Sequence, residues 1–109
     1  VHVEAPDECG HLGDAKLKTK ALEDIDAQIV APLAESAYAR SGQLRLLVCP
    51  DHSTPCALKT HATEPIPFLA WGPGFKPMGL AYGESAAKES PVRVERGHEL
   101  MGRFLKASL

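Results

Sequence analysis

With 109 residues, of which 44% are hydrophobic and 24% charged, the chain has the composition of one small globular domain or of part of one. Its net charge of −2 gives no electrostatic reason to expect a nucleic-acid partner or an acidic membrane surface. No apolar run approaches the roughly 20 residues that a membrane-spanning helix needs.

The first predicted element is a short buried strand over residues 1–5, with β-branched residues at positions 1 and 3 and Pro6 as its end. Residues 7–13 are predicted to form a loop, because two glycines free the backbone for tight turns near a ligand. The chain has no initiator Met and no signal-peptide pattern, so we expect a processed or truncated chain.

A long amphipathic helix is predicted next. Asp14 is the expected N-cap, and apolar residues then recur at steps of three and four to about Arg40. Pro32 lies inside this pattern and should kink the helix or split off its last turns. Gly42 is the predicted C-terminal stop.

Two further strands are predicted, a continuous apolar run over residues 44–49 and an edge strand over 66–71, followed by a turn at 72–74. One helical turn is expected near 85–88 and a short helix within 97–109. The first strand, the helix and the second strand form a strand–helix–strand unit, which favours a parallel pair with a right-handed crossover. The predicted fold class is therefore α/β, with a partial, mostly parallel sheet and flanking helices.

Acidic and imidazole side chains cluster just after the predicted strand ends, where α/β sheets bind ligands. The candidate metal ligands are Asp7, His11, Asp51, His52 and His61. Oxygen and imidazole ligands without thiolate suit Mn²⁺, Zn²⁺ or Mg²⁺. Five side chains exceed the need of one tetrahedral site, so a pair of metals that clamps an in-line phosphoryl displacement is expected.

Each of these signals has an alternative interpretation. Asp7 and His11 alone are also consistent with a solvated carboxylate and a capping histidine. His2 alternates within the predicted strand and is expected to be structural, whereas His98 begins the last helix and is expected to be exposed. The basic run Lys16, Lys18 and Lys20 follows the first cluster, and it fits either a phosphate contact or a solvated helix face.

Cysteine and hydroxyl side chains give weaker signals. The three cysteines, Cys9 among them, have no CxxC spacing and are expected to be reduced thiols of a cytoplasmic protein. Cys9 lies inside the first cluster, where a spacing role is expected rather than ligation. Ser53, Thr54 and Thr60 carry the hydroxyls nearest to the clusters, and none is flanked by an obvious base that would make it a nucleophile.

Nearly the whole chain resembles the C-terminal part of cofactor-independent (2,3-bisphosphoglycerate-independent) phosphoglycerate mutase, a member of the alkaline phosphatase superfamily. The archaeal-type branch, which includes bacterial proteins described as homoserine kinases, is the most similar. The resemblance is carried by the Ile-Asp step at 25–26 and by the segments APDECGHLGD (5–14), CPDHSTP (49–55) and KTHATEPIPF (59–68).

This resemblance implies that Asp7, His11 and His61 ligate one metal and that Asp51 and His52 ligate the other. It also implies that the nucleophilic serine and a further aspartate lie in an N-terminal part that is not in this chain. The chain would then be a C-terminal portion of an alkaline-phosphatase-like domain, without a catalytic nucleophile of its own. On its own, the chain should not catalyse turnover of a substrate. Exposed sheet edges are expected where the other strands belong, and these invite self-association.

The implied function of the intact protein is metal-dependent interconversion of 2- and 3-phosphoglycerate through a phosphoserine. The expected cofactors are two divalent ions, Mn²⁺ first, with Zn²⁺ or Mg²⁺ as alternatives. The expected partner is a phosphoglycerate-type small molecule, with no nucleic acid and no membrane. Alternatives are a phosphatase, a homoserine-kinase-like phosphotransferase of the same superfamily, or a non-catalytic metal-binding module.

Overall fold

The computed structural model describes residues 1–109, which group into two compact units. Unit 1 consists of residues 1–36 and 51–66, and unit 2 of residues 37–50 and 67–109. None of the helices combines the length and the apolar character that crossing a membrane would require. All five candidate metal ligands belong to unit 1.

Unit 1 begins with helix α1, Ala5–Leu12, so the predicted strand over 1–5 and the predicted loop over 7–13 were both wrong. Pro6 lies in the first helical turn, where its missing N–H has no partner to lose and its fixed φ suits the helix. Acidic residues occupy the same turn and complement the helix dipole. Gly13 ends the helix in the left-handed conformation, at φ 76°.

Helix α2, Ala15–Ile25, packs against α1 and begins where the sequence predicted. The Asp14 side chain accepts a hydrogen bond of 2.9 Å from the backbone N–H of Leu17, which confirms the N-cap.

The helix continues as one π-helical turn, Asp26–Val30, and as the short helix α3, Ala31–Ala34. Pro32 explains this change, because it has no N–H for the carbonyl of Gln28 and its ring crowds that carbonyl. The predicted disturbance at Pro32 is therefore confirmed. A single helix to Arg40 is not formed, since the next helix, α4, is a separate element at Ala37–Arg40.

Unit 2 contains short elements, which are α4, strand β1 (Leu46–Val48), strand β2 (Leu69–Trp71), helix α5 (Glu84–Glu89), a 3₁₀ turn (Gly97–Glu99) and helix α6 (Leu100–Leu105). Both predicted strands form in shortened versions, and they pair antiparallel with Leu46 opposite Trp71 and Val48 opposite Leu69. The predicted parallel pairing is absent from this sheet, because the segment expected to supply its first strand is helix α1. Helical and strand elements are both present, as the α/β class requires.

Few side chains are fully enclosed in either unit. In unit 2, Phe104 of α6 is 9% exposed, and its ring stacks on Phe75 at 5.6 Å between centroids. Arg45 donates to the carbonyl oxygens of Pro73 and Leu105 and so ties the segments around this aromatic pair together. In unit 1, the enclosed side chains are Cys9 of α1 and Thr54.

Helix α1 touches the loop of residues 51–61 at Gly10, where the two backbones come close. A Cβ at this position would lie 2.4 Å from the carbonyl oxygen of Thr54 and 2.9 Å from its Cγ2. Gly10 therefore allows the close approach that brings α1 against the loop.

We predict that Gly10→Ala lowers the free energy of unfolding by about 1–3 kcal/mol, because the new methyl group forces α1 away from Thr54. Gly102→Ala in α6 is the matched control, since nothing lies within 4 Å of its Cβ position. This control should gain up to about 1 kcal/mol from the better helix propensity of alanine. Urea unfolding of both variants measures the difference, and equal effects would contradict the close contact at Gly10.

Candidate metal centre

Helix α1 places Asp7 and His11 one turn apart on the same face. The Nε2 atom of His11 lies 3.3 Å from Oδ2 of Asp7. Both side chains are partly exposed, at 34% for Asp7 and 41% for His11. The helix thus provides a carboxylate and an imidazole that open to solvent together.

The loop of residues 51–61 brings a second imidazole to the same point. Its two ends approach each other through an antiparallel bridge, in which the N–H of Ala62 donates to the carbonyl oxygen of Ser53 at 2.9 Å. A turn closes between Pro55 and Lys59, whose N–H donates to the Pro55 carbonyl oxygen at 2.9 Å. His61 follows this turn directly, and its Nε2 lies 3.2 Å from Nε2 of His11.

The donor atoms of Asp7, His11 and His61 all lie within 4.8 Å of one another. The Nε2 of His61 is 3.6 Å from Oδ1 of Asp7, close to the other two separations. Ligands bound at 2.0–2.1 Å to a tetrahedral ion stand about 3.3 Å apart. The two imidazole nitrogens match this spacing at 3.2 Å, and each lies close to a different oxygen of Asp7. With one oxygen from Asp7, the three donor atoms are close enough to share one divalent cation. Two imidazole nitrogens and a carboxylate oxygen are also a suitable donor set for Mn²⁺ or Zn²⁺.

The orientation of His11 supports this fit. Its Nδ1 lies 3.1 Å from the carbonyl oxygen of Lys59. A carbonyl oxygen only accepts hydrogen bonds, so Nδ1 donates in this contact, and the neutral imidazole then has its lone pair on Nε2. Lys59 has a left-handed backbone conformation, at φ 55°, in the turn that presents this carbonyl.

The other two predicted ligands form an adjacent pair. Nε2 of His52 lies 3.4 Å from Oδ2 of Asp51, and the Asp51 side chain is 68% exposed. The ring of His52 packs on the ring of His61 at 3.8 Å between centroids. Nδ1 of His52 is 4.0 Å from Oδ1 of Asp7. All five predicted residues therefore lie in one cluster, arranged as a triad of Asp7, His11 and His61 and a neighbouring Asp51–His52 pair.

Thr54 is the site residue whose role the sequence did not reveal. Its hydroxyl donates a hydrogen bond of 2.5 Å to Oδ1 of Asp7, and its side chain is buried. Nζ of Lys18 donates to the carbonyl oxygen of Thr54 at 2.7 Å, so this lysine is not simply part of a solvated helix face. The only sequence signal was a hydroxyl residue two positions after His52.

The remaining histidines and Cys9 stand outside this cluster. His2 is 70% exposed and lies 3.7 Å from Glu4, so the structural role predicted for it was wrong. His98 is exposed, as predicted. Cys9 is buried, and the spacing role expected for it stays a prediction.

The electrostatics of the site favour an ionised Asp7. The hydrogen bond from Thr54 lowers the pKa of the Asp7 carboxyl below its ordinary value, and the nearby imidazoles of His11, His61 and His52 lower it further. Partial desolvation opposes this shift without reversing it. A carboxylate that stays charged is also the form that binds a metal ion.

We predict that the Asp7 carboxyl of the chelator-treated chain titrates below the ordinary value of 3.8, as measured by ¹³C NMR. Because the folded-state pKa is the lower one, ionised Asp7 stabilises the folded state above the unfolded pKa, and this contribution disappears as the pH falls through the folded pKa. Between about pH 5 and pH 3, the wild-type chain should therefore lose more unfolding free energy than Asp7→Asn. Equal losses would contradict the shift.

The sequence of residues 1–100 matches the family model described as the metalloenzyme superfamily. The chain is 40% identical to the 2,3-bisphosphoglycerate-independent phosphoglycerate mutase of Methanosarcina barkeri, over 98% of this chain and 27% of the relative. It is 41% identical to the enzyme of the same name from Methanosarcina acetivorans, over 97% of this chain and 27% of the relative.

A protein from Geobacter sulfurreducens, named a probable 2,3-bisphosphoglycerate-independent phosphoglycerate mutase, is 43% identical over 96% of this chain and 27% of its own length. The chain thus spans about a quarter of the length of the curated relatives it matches. No solved structure matches it. The resemblance that the sequence motifs predicted is confirmed by these matches.

Proposed function

The chain belongs to the metalloenzyme superfamily, and on that premise we propose that it forms the metal-binding wall of a phosphoryl-transfer site. The observation that carries this proposal is the convergence of the Asp7, His11 and His61 donor atoms within 4.8 Å. The similarity to phosphoglycerate mutases over nearly the whole chain supports it independently.

The triad would hold one divalent ion through an Asp7 oxygen and through Nε2 of His11 and of His61. The pair Asp51 and His52 would contribute to a second ion, whose remaining ligands come from outside this chain. Three imidazoles and two carboxylates favour Mn²⁺ or Zn²⁺ over Mg²⁺, because Mg²⁺ prefers oxygen ligands and keeps several waters.

When bound, such ions neutralise the charge of a transferring phosphoryl group and lower the pKa of the nucleophile. The residues of this chain provide the fixed ligand geometry. The Thr54 hydroxyl donates to Asp7 and lowers the pKa of its carboxyl. The Lys59 carbonyl oxygen accepts a hydrogen bond from Nδ1 of His11, which leaves Nε2 facing Asp7 and His61.

For the protein that carries this chain, we propose the interconversion of 2- and 3-phosphoglycerate. A serine from outside this chain would take the phosphoryl group from the substrate, form a phosphoserine and return the group to the neighbouring hydroxyl. The isolated chain, which spans about a quarter of its curated relatives, should have no mutase activity. Its own measurable property should be metal binding.

Calorimetric titration with MnCl₂ and ZnCl₂ tests the ligand assignment. We predict that His61→Ala weakens binding by more than about 100-fold, which exceeds the 10–100-fold cost of losing an outer-shell partner. His98→Ala is the matched control, because this exposed imidazole lies outside the triad and should leave the affinity unchanged. Equal affinities for the two variants would exclude the proposed triad.

A chimera tests the activity. The segment of the Methanosarcina barkeri relative that matches this chain is replaced by residues 1–109. We predict that the chimera converts 3-phosphoglycerate to 2-phosphoglycerate without releasing inorganic phosphate, and that His61→Ala abolishes this activity while His98→Ala does not.

The products separate the competing functions. Release of inorganic phosphate would indicate a phosphatase, and phosphorylation of added homoserine would indicate a phosphotransferase. A chimera that folds, binds metal and transforms none of these substrates would leave a non-catalytic metal-binding module as the better account.

A further inference from the structure

Thr54 stands between the two parts of the metal centre. Its side-chain oxygen lies 2.5 Å from Oδ1 of Asp7, a member of the triad, and 3.3 Å from Nδ1 of His52, a member of the neighbouring pair. It is also 4% exposed, which makes it a buried polar residue in a loop whose neighbours are mostly open to solvent.

The hydroxyl has a single proton and two neighbours that could receive it. The contact with the Asp7 carboxylate is the shorter and is charge-assisted, so the proton belongs to that bond. The oxygen then faces His52 with a lone pair only, and the contact at 3.3 Å is a hydrogen bond only if Nδ1 of His52 carries a proton. A neutral His52 that is protonated on Nδ1 has its free lone pair on Nε2.

Thr54 is held firmly enough to impose this arrangement. Its carbonyl oxygen accepts a hydrogen bond of 2.7 Å from Nζ of Lys18 in α2. The same carbonyl and the Thr54 methyl group lie against Gly10 of α1, with no room for a Cβ between them. Thr54 is therefore fixed to helices α1 and α2 of unit 1.

We propose that Thr54 is a positioning residue that couples the two parts of the metal centre. It donates to Asp7, accepts from Nδ1 of His52, and so presents Nε2 of His52 as a metal ligand beside Asp51. The inference rests on the proposed function, because it takes His52 as a ligand through Nε2. The separation of 3.4 Å between that nitrogen and Oδ2 of Asp51 suits two ligands of one ion.

His11 is oriented by the same principle through a different group. Its Nδ1 contacts the carbonyl oxygen of Lys59, five residues after Thr54 in the same loop. One stretch of loop therefore orients two imidazoles, one by a hydroxyl and one by a backbone carbonyl. Because a side-chain substitution cannot remove the Lys59 carbonyl, His11 serves as an internal control for changes at Thr54.

The test uses the metal-free 109-residue chain, the near-isosteric Thr54→Val and the hydroxyl-retaining Thr54→Ser. Long-range ¹H–¹⁵N NMR at a pH where the imidazoles are neutral reports which nitrogen of each histidine carries the proton. We expect the Nδ1–H form at His52 in the wild type and in Thr54→Ser. Thr54→Val should move His52 toward the Nε2–H form and leave His11 as the Nδ1–H form.

Titration with ZnCl₂ or MnCl₂ then gives the consequence for binding. Thr54→Val should weaken metal binding by about 10–100-fold, as expected for loss of a partner that orients a ligand, and Thr54→Ser should restore it. A wild-type His52 found as the Nε2–H form overturns the proposal outright, even if Thr54→Val does not fold. A folded Thr54→Val chain with an unchanged His52 tautomer also overturns it.

The two proposals fail in different ways. If His61→Ala leaves metal affinity intact while Thr54→Val changes the His52 tautomer, the proposed triad fails, and only the hydrogen bond by which Thr54 orients His52 stands. If His61→Ala abolishes binding while the His52 tautomer ignores Thr54, the positioning role alone fails.

Discussion

The carboxylate of Asp7 is the group on which the candidate site depends. One of its oxygens accepts a hydrogen bond from the Thr54 hydroxyl, and the carboxylate lies within 4.0 Å of the imidazoles of His11, His61 and His52. Removing the charge of Asp7 would leave three imidazoles facing one another without the anion that holds them together.

The Asp7 carboxylate lies next to His11 because residues 5–12 form a helix. The sequence predicted a strand there, because Val1 and Val3 are β-branched and Pro6 looked like a strand end. The same residues fit a helix start, since proline is favoured in the first turn and the following acidic residues complement the dipole. Gly13, which was assigned to a flexible loop, is the left-handed C-terminal stop of that helix.

Structural features that depend on one residue and its neighbours in sequence were predicted correctly. Asp14 caps a helix through its own side chain, and Pro32 disturbs the helix because it lacks an N–H. Contacts between residues that are far apart along the chain could not be predicted from the sequence. The approach of His61 to His11 depends on the bridge between Ser53 and Ala62, and no residue pattern marks that bridge.

The contacts of Thr54 within the site could not be predicted from the sequence for the same reason. A threonine after an Asp-His pair has the composition of an ordinary loop, and only the packing against Gly10 shows that its hydroxyl is buried next to Asp7. The residue pattern predicted the five side chains that the structure brings together in unit 1, and the family resemblance divided them into Asp7, His11 and His61 for one metal and Asp51 and His52 for the other. The distances group the side chains in the same way, and their role as metal ligands stays a prediction.

X-ray absorption spectroscopy of the zinc-loaded chain is the most direct test of the central claim, since it identifies the atoms bound to the metal. We expect nitrogen and oxygen atoms bound to the zinc at about 2.0–2.2 Å, with the scattering pattern of imidazole rings and no sulfur. His61→Ala should remove one imidazole from that pattern. Sulfur at about 2.3 Å would show that cysteine binds the metal and would contradict the assignment to Asp7, His11 and His61.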